Sequence, residues 1–283
     1  MQNVHLSPPD LAPLFGVNVS TIKRWIDRGF LPAQVTTGGH RRVSREQLVA
    51  FVAKYPRYAS RSYILGQLSR GVKAPDQDWK RYYQALRSND TDASQRFIEE
   101  LYIRRIPLIG ILERVISRTL EQIGTDWARG VISVYDEHRM SFEVRSHLYR
   151  LQQLIPTPRR TASRIALLAC VAGEHHELPL QILGLILQQQ GWTMHTLGIN
   201  ISTVELTRAM QRLKPTLVCL TKTYRIGGSL DFLNVVAAQT KKRRIRLAYG
   251  GNGWSRIIRS RTWPQNPRVK YYPTLEAFEQ SVK

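Results

Sequence analysis

Cysteine is scarce in this sequence, and long apolar segments are absent from it. The two cysteines, Cys170 and Cys219, each lie inside a short apolar run, which predicts buried structural thiols rather than disulfides or a thiolate metal site. No apolar run approaches the ~20 residues that span a bilayer. The start, Met-Gln-Asn-Val-His, lacks the basic and apolar regions of a signal peptide. These absences predict a protein of the reducing cytoplasm.

Acidic residues are also few. Lysine and arginine together number 42, against 21 aspartates and glutamates, so the net charge is +21. The excess is +8 over residues 1–73 and +13 over residues 154–283, whereas residues 74–153 are neutral. Because a charge of this size attracts polyanions, we expect nucleic acid as a partner rather than an anionic membrane surface.

The apolar content is sufficient for real hydrophobic cores. With 283 residues, 42% of them apolar, the chain is long enough for two or three domains. A basic, tyrosine-rich stretch at about 54–75 has the composition of a connector. We therefore predict three domains: residues 1–73 including a linker, residues 78–154, and residues 160–283.

The amino-terminal segment has a helix-turn-helix pattern. Ser7-Pro8-Pro9-Asp10 favours a helix start, because Ser7 can cap, proline is tolerated in the first turn and Asp10 complements the helix dipole. This helix runs to about Phe15. A second helix begins at Ser20, with Ile22, Trp25 and Ile26 facing the first.

A basic hairpin follows these helices. Thr36-Thr37-Gly38-Gly39-His40-Arg41-Arg42-Val43 places a glycine turn between two short extended pieces, which indicates a wing. The wing arginines can hold phosphates, and the exposed face of the second helix can approach base edges. The candidate DNA-binding residues are Ser20, Thr21, Lys23, Arg24, His40, Arg41 and Arg42. For any single residue, a solvated basic face is an equally good explanation, but not for the whole set.

These features extend from Val17 to Leu48, where Ser44-Arg45-Glu46-Gln47-Leu48 starts another helix. Together they closely resemble the winged-helix DNA-binding domain of the MerR superfamily. The resemblance implies double-stranded operator DNA as the partner.

Helical periodicity dominates the neutral middle of the chain. Apolar residues recur at helical spacing from about residue 78 to residue 154, and charges of both signs occupy the remaining positions. Four helices are predicted, at about 78–88, 91–105, 107–128 and 131–153. Trp127 stands near the end of the third, and Glu137-His138 follows it in the fourth.

The last third alternates between strands and helices. Strands are predicted at 164–171, 192–197, 216–221, 244–249 and 269–273, with helical segments at 178–190, 202–213, about 228–240 and 274–283. Such alternation predicts a parallel, doubly wound sheet.

Three loops at the predicted carboxyl ends of strands contain unusual chemistry. They are Glu174 to Pro179, Thr221-Lys222-Thr223 and Gly250-Gly251-Asn252-Gly253. Ligands bind at this end of open α/β sheets, and an acidic residue two positions before a histidine can orient a metal-ligating imidazole. Glycines also allow a ligand close to the backbone. We therefore predict one ligand crevice with His176 as the nitrogen donor.

The loops resemble the cobalamin-binding fold, whose elements are Asp-x-His-x-x-Gly, Ser-x-Leu and Gly-Gly. The helical bundle with Trp127 and Glu137-His138, placed just before such a sheet, resembles the cap of the MerR-type cobalamin photoreceptor repressors, the CarH and LitR family. The implied fold is a winged helix, a four-helix bundle and a flavodoxin-like, Rossmann-type α/β domain.

This resemblance also implies roles for residues. His176 is the lower axial ligand to cobalt, and Glu174 polarises it, with His175 as the less favoured ligand. The other cofactor-binding residues implied are Trp127, Glu137, His138, Thr221, Thr223, Gly250 and Gly251. The implied function is that of a light-sensing repressor, not an enzyme. It holds adenosylcobalamin between bundle and sheet, binds operator DNA as a homo-oligomer, a tetramer in the dark, and is released by photolysis.

Two departures from the family pattern keep other functions open. Pro179 stands where the motif has glycine, and Ala128 follows Trp127 where many members have histidine. They favour a regulator that has no cofactor or that responds to another cobalamin form, such as hydroxocobalamin, or to redox state. A corrinoid methyl-carrier module is a further alternative, but it does not explain the winged helix.

The run Lys241-Lys242-Arg243-Arg244 has no role in the cofactor hypothesis. Such runs are usually solvated faces. The alternative prediction is additional nonspecific attraction to DNA, which would be sensitive to salt.

Overall fold

The structure is a computed structural model that describes residues 5–15, 17–44, 47–48, 51, 54–55, 77–104, 106–155, 164–223, 229–254 and 267–283. The chain divides into two compact units, residues 1–156 and 157–283. The connector predicted at about 54–75 lies almost entirely outside the described residues. Within the described part, no helix is long and apolar enough to cross a membrane.

The first unit opens with the predicted helix-turn-helix. Helices α1 (Pro8–Phe15) and α2 (Val19–Asp27) are followed by the antiparallel strands β2 (Gln34–Val35) and β3 (Arg41–Ser44), and a short strand β1 (His5–Leu6) completes the sheet in the order β1-β3-β2. Strand β1 has no counterpart among the elements predicted from the sequence.

An aromatic cluster holds this domain together. Phe15 packs edge-on against Trp25, with ring centroids 5.6 Å apart, and against Phe51, at 5.7 Å. Ile22 is also buried there, so α2 presents its apolar face to α1 as predicted. The following helix starts with a reciprocal cap, because Ser44 N donates to Gln47 Oε1 and Gln47 N donates to Ser44 Oγ.

The bundle of the first unit contains four helical stretches, as predicted. They are α3 (Asp78–Arg87), α4 (Thr91–Ile103), a stretch formed by α5 (Leu108–Gly110), a π-helical segment (Ile111–Ser117) and α6 (Arg118–Ala128), and α7 (Val134–Leu154). The last helix starts at Val134 rather than at residue 131, because Ser133 and Asp136 form a capping box there.

The second unit is a five-stranded parallel sheet. Its elements in chain order are β4 (Ile165–Val171), α8 (Leu178–Gln189), β5 (Thr193–Ile201), α9 (Thr203–Leu213), β6 (Leu217–Thr221), α10 (Ser229–Arg243), β7 (Arg246–Gly250), a 3-10 turn (Asn252–Trp254), β8 (Val269–Tyr272) and α11 (Leu275–Val282). The strand order is β5-β4-β6-β7-β8. This is the flavodoxin-like order, so the predicted doubly wound fold is confirmed.

Burial of the central strands explains why apolar runs in the sequence predicted them. The side chains of β4 and β6 are buried along almost their whole length, which is typical of strands covered on both faces. The register aligns Cys170 with Thr221, Thr221 with Gly250, and Gly250 with Tyr272. Four neighbouring strands therefore end in one row, with the predicted site loops directly beyond it.

Candidate functional site

The loop after β4 is clamped by an asparagine from the end of β5. Gly173 N donates to Asn200 Oδ1 at 2.8 Å, and Asn200 N donates to the Glu174 carbonyl at 2.9 Å. Gly173 and Asn200 both have positive φ, 78° and 52°. Glycine and asparagine are the residues that adopt this conformation most easily, so the clamp depends on these residue types.

Glu174 is the centre of the loop. Its carboxylate accepts hydrogen bonds from the His176 ring atom Nδ1, from His176 N at 2.8 Å and from Thr223 N at 2.5 Å. Only 1% of the Glu174 side chain is exposed, against 42% of the His176 side chain. A buried carboxylate bonded to Nδ1 fixes the tautomer and orientation of the imidazole, which leaves Nε2 as the ring nitrogen that a ligand could approach.

The loops after β4 and β6 flank the point where the strand order reverses. Glu174 comes from the first loop and Thr223 from the second, and their hydrogen bond joins the two. Open α/β sheets bind ligands in the crevice at this switch point. By contrast, His175 is exposed. Pro179 occupies the first turn of α8, where a missing N–H costs no helical hydrogen bond.

The buried thiol of Cys170 contacts the backbone of His176. Cys170 Sγ donates to the His176 carbonyl at 3.3 Å and lies 3.2 Å from Thr221 Oγ1. Burial raises the pKa of Cys170 to about 11, so the thiol stays protonated and remains a donor at neutral pH. The Thr221 hydroxyl, predicted as a ligand contact, is buried and bonded to this thiol. Cys219 is also buried, as predicted.

The diglycine packs against a buried lysine. Lys222 N donates to the Gly250 carbonyl at 3.1 Å, and Gly253 N donates to the Lys222 carbonyl at 3.0 Å. A Cβ on Gly251, whose φ is +107°, would lie 2.2 Å from the Lys222 oxygen. The contact with Lys222 therefore requires glycine at position 251, whatever the ligand. Burial lowers the pKa of the Lys222 ammonium, and Glu174 opposes this shift.

The metal-ligating side chains at this site suit a metal ion whose other ligands come from a cofactor rather than from the protein. Within the described ranges, no three His, Cys, Asp or Glu side chains gather as a metal site would require. His176 offers a single oriented nitrogen. A corrin, which surrounds cobalt with four nitrogens of its own, needs only such an axial donor from the protein.

The predicted cap residues lie at the junction of α6 and α7. Trp127 is in the last turn of α6 and is 40% exposed. Glu137 and His138 are in the first turns of α7. Their side chains are 27% and 75% exposed, and His138 Nε2 lies 3.5 Å from Glu137 Oε2. Ser141 Oγ also donates to Glu137 Oε1 at 2.8 Å.

Buried polar contacts anchor this end of the bundle. Next to Trp127, Asp126 accepts hydrogen bonds from Tyr83 Oη at 2.5 Å and from Gln122 Nε2 at 2.8 Å. Burial, followed by the Asp126 contact, raises the pKa of Tyr83 to about 12, so the phenol remains a donor. The backbone that carries Trp127 is therefore fixed although its indole is exposed.

The candidate DNA-binding face of α2 is accessible. Ser20, Lys23 and Arg24 are exposed and Thr21 is half-buried, opposite the buried Ile22 and Trp25. This polarity matches the prediction. It leaves one helix face for base edges and phosphates.

The wing forms the predicted glycine turn. Gly39 N donates to the Thr36 carbonyl at 2.8 Å, and Gly39 has φ +74°. His40 is exposed at the tip and Arg42 is half-buried in β3. Arg41 donates to Asp27 Oδ1 at 2.7 Å, which ties the wing to the end of α2. For a phosphate role, Arg41 would have to share its guanidinium with this carboxylate.

Three further residues that contact or belong to the candidate site loops were not predicted as site residues from the sequence: Cys170, Asn200 and Lys222. Asn200 has no signal in the sequence beyond its position at a strand end. Lys222 stands inside a predicted site loop, and its place between two threonines after a buried strand was a usable signal.

Comparison with known families matches two parts of the chain. Residues 6–55 match the family described as "Helix-turn-helix domain". Residues 79–150 match the family described as "B12 binding domain". These are the winged-helix segment and the four-helix bundle.

Two proteins that the chain resembles in sequence are transcriptional repressors. The chain is 27% identical to the HTH-type transcriptional repressor CarH of Myxococcus xanthus over 229 residues, which are 74% of this chain and 76% of that protein. It is 36% identical to the repressor CarA of the same organism over 90 residues, which are 31% of this chain and 30% of CarA.

A solved structure supports the fold. The monomethylamine corrinoid protein of Methanosarcina barkeri superimposes with a TM-score of 0.58 at 13% identity, over 74% of this chain and 99% of that one. At this identity the likeness concerns the fold alone. With the two family matches and the repressors, it confirms the resemblance inferred from the motifs. The chain is therefore similar in sequence to the CarH repressor, and it matches both a helix-turn-helix domain and a B12 binding domain.

Proposed function

We propose that the chain is a cobalamin-binding transcriptional repressor that senses light through adenosylcobalamin. His176 would be the axial donor below the cobalt, and Trp127, Glu137 and His138 would contact the upper, adenosyl side. The cofactor supplies a cobalt–carbon bond that light can break. The protein's contribution is to orient the donor nitrogen and to couple the bound state to DNA affinity.

The observation that carries this proposal is the Glu174–His176 pair. An imidazole held at Nδ1 by a buried carboxylate is the arrangement that orients a metal-ligating histidine. Its position at the switch point of a parallel sheet adds the second condition, a crevice open to a ligand. The Thr223 hydrogen bond and the Gly250-Gly251 turn would form the walls of the crevice.

The proposal includes assembly into a homo-oligomer, a tetramer in the dark. A single small winged helix binds operator DNA weakly, and linked copies gain affinity through effective concentration. Helix α7 offers a surface for this assembly: Tyr135, Phe142 and Tyr149 are exposed on one face, at seven-residue spacing. Such spacing is typical of helices that pack against one another.

One experiment tests cofactor and light response together. Apoprotein is mixed in the dark with adenosylcobalamin or hydroxocobalamin and desalted. Its absorption spectrum and molecular mass are then recorded before and after green light. We expect retained adenosylcobalamin in the dark, and a change of both spectrum and mass on illumination.

Two histidine variants place the ligand. His176→Ala should lose retained corrinoid, whereas the neighbouring His175→Ala should keep it. Retention of neither corrinoid by the wild-type protein would contradict the proposal and favour a cofactor-free regulator. Retention of hydroxocobalamin alone would favour a sensor of another cobalamin form, which Ala128 and Pro179 would then help to explain.

A further inference from the structure

The α/β unit has a strong separation of charge along its strand direction. Five of its acidic residues lie at the carboxyl ends of the strands: in the loop after β4, or in the first turns of α9, α10 and α11. They are Glu174, Glu177, Glu205, Asp231 and Glu276. Basic residues gather at the opposite, amino ends of the strands.

We define the amino-end surface by its exposed basic residues: Lys214, Lys241, Lys242, Arg244, Arg246 and Arg268. Each lies in a helix-to-strand connection, in the last turn of a helix or at the first position of a strand. The strands between the two ends rise about 3.3 Å per residue, so the surface is roughly 20 Å from the candidate cofactor crevice. The cofactor hypothesis therefore does not account for it.

Helix dipoles explain only part of this distribution. Lysines and arginines in the last turn of a helix are favourable, which covers Lys241 and Lys242 in α10. Arg244, Arg246 and Arg268 lie outside helices. Their placement at the same end of the sheet needs another explanation.

Two arginines at this end are held rigidly around one tryptophan. The guanidinium carbons of Arg164 and Arg246 lie 5.7 Å and 5.4 Å from the ring centroid of Trp192. Arg164 Nη2 donates to the Lys283 carbonyl at 2.9 Å, and Arg246 Nη1 donates to the Ser281 carbonyl at 3.0 Å. The Ser281 carbonyl is neutral, so this bond fixes the positive charge of Arg246 in place without compensating it.

The missing compensation extends over the surface. Among the described residues, the one carboxylate in the later turns of a helix at this end is Glu279, and it pairs with Lys283 at 3.1 Å. Arg268 Nη1 donates to the Arg244 carbonyl at 3.0 Å, which holds its guanidinium in place. Preorganised cations of this kind are suited to phosphate oxygens.

The side chains around these cations identify the kind of polyanion. In the described part of the chain, the exposed large apolar residues of this unit are Ile199, Val204 and Val235, and none lies in the amino-end connections. Membrane surfaces are bound with the help of inserted apolar side chains, and single strands by stacking on exposed aromatic rings. Neither is offered here, because Trp192 is buried.

From this charge distribution we propose that the amino-end surface binds the phosphate backbone of duplex DNA, without base recognition. It is a second DNA contact, separate from the winged helix. Its effect would be a higher and more salt-sensitive affinity for any duplex, which would keep the protein on DNA near its operator.

The test compares two triple variants of the full chain that lose the same charge. The surface variant is Lys241→Gln, Lys242→Gln, Arg244→Gln. The control variant is Lys80→Gln, Arg104→Gln, Arg129→Gln, all exposed in the helical bundle. Binding to a fluorescent duplex of random sequence is titrated at several NaCl concentrations, and unchanged melting curves verify folding.

For the surface variant we expect the slope of log affinity against log salt to become shallower by about 1 to 3, and affinity near 0.1 M salt to fall by roughly 10-fold or more. The control variant should stay close to wild type. An unchanged slope in the surface variant, or an equal change in the control, would overturn the proposal.

Two further probes distinguish other polyanions. If the surface variant lost binding to phosphatidylglycerol vesicles or to single-stranded RNA while its duplex slope stayed unchanged, the surface would belong to that partner instead. The random duplex requires neither an operator nor a cobalamin. Failure of this inference is therefore distinguishable from failure of the light-sensing proposal.

Discussion

The two groups of candidate cofactor residues differ in how firmly they are held. In the α/β unit, Glu174 is buried and bonded to two residues of two loops, and it fixes His176. In the bundle, Trp127, Glu137 and His138 are partly or largely exposed, although Asp126 anchors the backbone beside them. One group is held in place by buried hydrogen bonds, whereas the side chains of the other are accessible to solvent.

This difference suggests a division of labour. A preorganised donor contributes affinity, because little ordering is needed on binding. The exposed side chains of Trp127, Glu137 and His138 can instead distinguish between the ligands that contact them. The α/β loop should therefore decide whether a corrinoid binds, and the bundle residues should decide which form is distinguished.

The largest expected effect comes from the glycine behind the crevice. Gly251→Ala would place a methyl group 2.2 Å from the Lys222 backbone oxygen, so we expect loss of more than about 4 kcal/mol of stability in the α/β unit. Gly130→Ala in the bundle, which also has positive φ but open space, should cost about 1 kcal/mol. Thermal unfolding measures both. Similar losses for the two variants would show that backbone conformation, not contact with Lys222, dominates.

Acid should weaken the bundle before the sheet. His147 is buried with Nδ1 2.7 Å from Tyr82 Oη, and its Nε2 finds no partner among the described residues. Burial lowers its pKa from 6.5 to about 4. Between these values the unfolded chain binds a proton that the folded chain does not, so stability falls as pH falls.

The full loss, reached near pH 4, is about 3 kcal/mol. Unfolding midpoints of the bundle at pH 7.5 and pH 5 should differ in this direction, and the Tyr82→Phe, His147→Leu double variant should lose most of the difference. A pH dependence that persists in the double variant would assign it to other groups.

Substitution of Glu174 and of Glu137 tests directly whether the two groups of residues have different roles. Glu174→Gln should weaken hydroxocobalamin binding by about 10- to 100-fold, because Nδ1 of His176 loses its charged partner. Glu137→Gln in the bundle should change the same affinity by less than about 3-fold. Equilibrium titration followed by absorbance gives both values. Equal losses would remove the distinction between the two groups.

The smallest expected effect is a change in the preference for adenosylcobalamin over hydroxocobalamin. Trp127→Ala should alter bundle stability by less than about 1 kcal/mol, since the indole is 40% exposed. It should lower the affinity for adenosylcobalamin several-fold relative to that for hydroxocobalamin. An unchanged ratio of the two affinities would exclude Trp127 from recognition of the adenosyl side.

Much of the fold was predictable because its signals are local. Helical spacing predicted the bundle, and apolar runs separated by helical segments predicted the parallel sheet, with errors of a few residues at element ends. The errors have physical causes. The Ser133–Asp136 capping box moved the start of α7, and strand β5 continues to Ile201 through Gly198 with a register shift.

The candidate site was predictable in its residue types but not in its connections. Glu174 and His176 are neighbours in sequence, so their pairing could be anticipated. The contact between the Cys170 thiol and the Thr221 hydroxyl joins residues 51 positions apart, and the bond between Gly173 and Asn200 joins residues 27 positions apart. Periodicity does not show which strand ends become neighbours.

The sequence by itself determined the order of domains, the amphipathic helices and the positions of the reactive loops, because these depend on spacing along the chain. Only the tertiary structure decided that Glu174 is buried against His176 and Thr223, that Gly251 must lie on Lys222, and that the basic residues gather at the strand amino ends. Those outcomes depend on strand order and register, which bring distant segments together. The heptapeptide from Gly173 to Pro179 is therefore held by Asn200 and Thr223, which bond to Gly173 and Glu174 from 27 and 49 positions further along the chain.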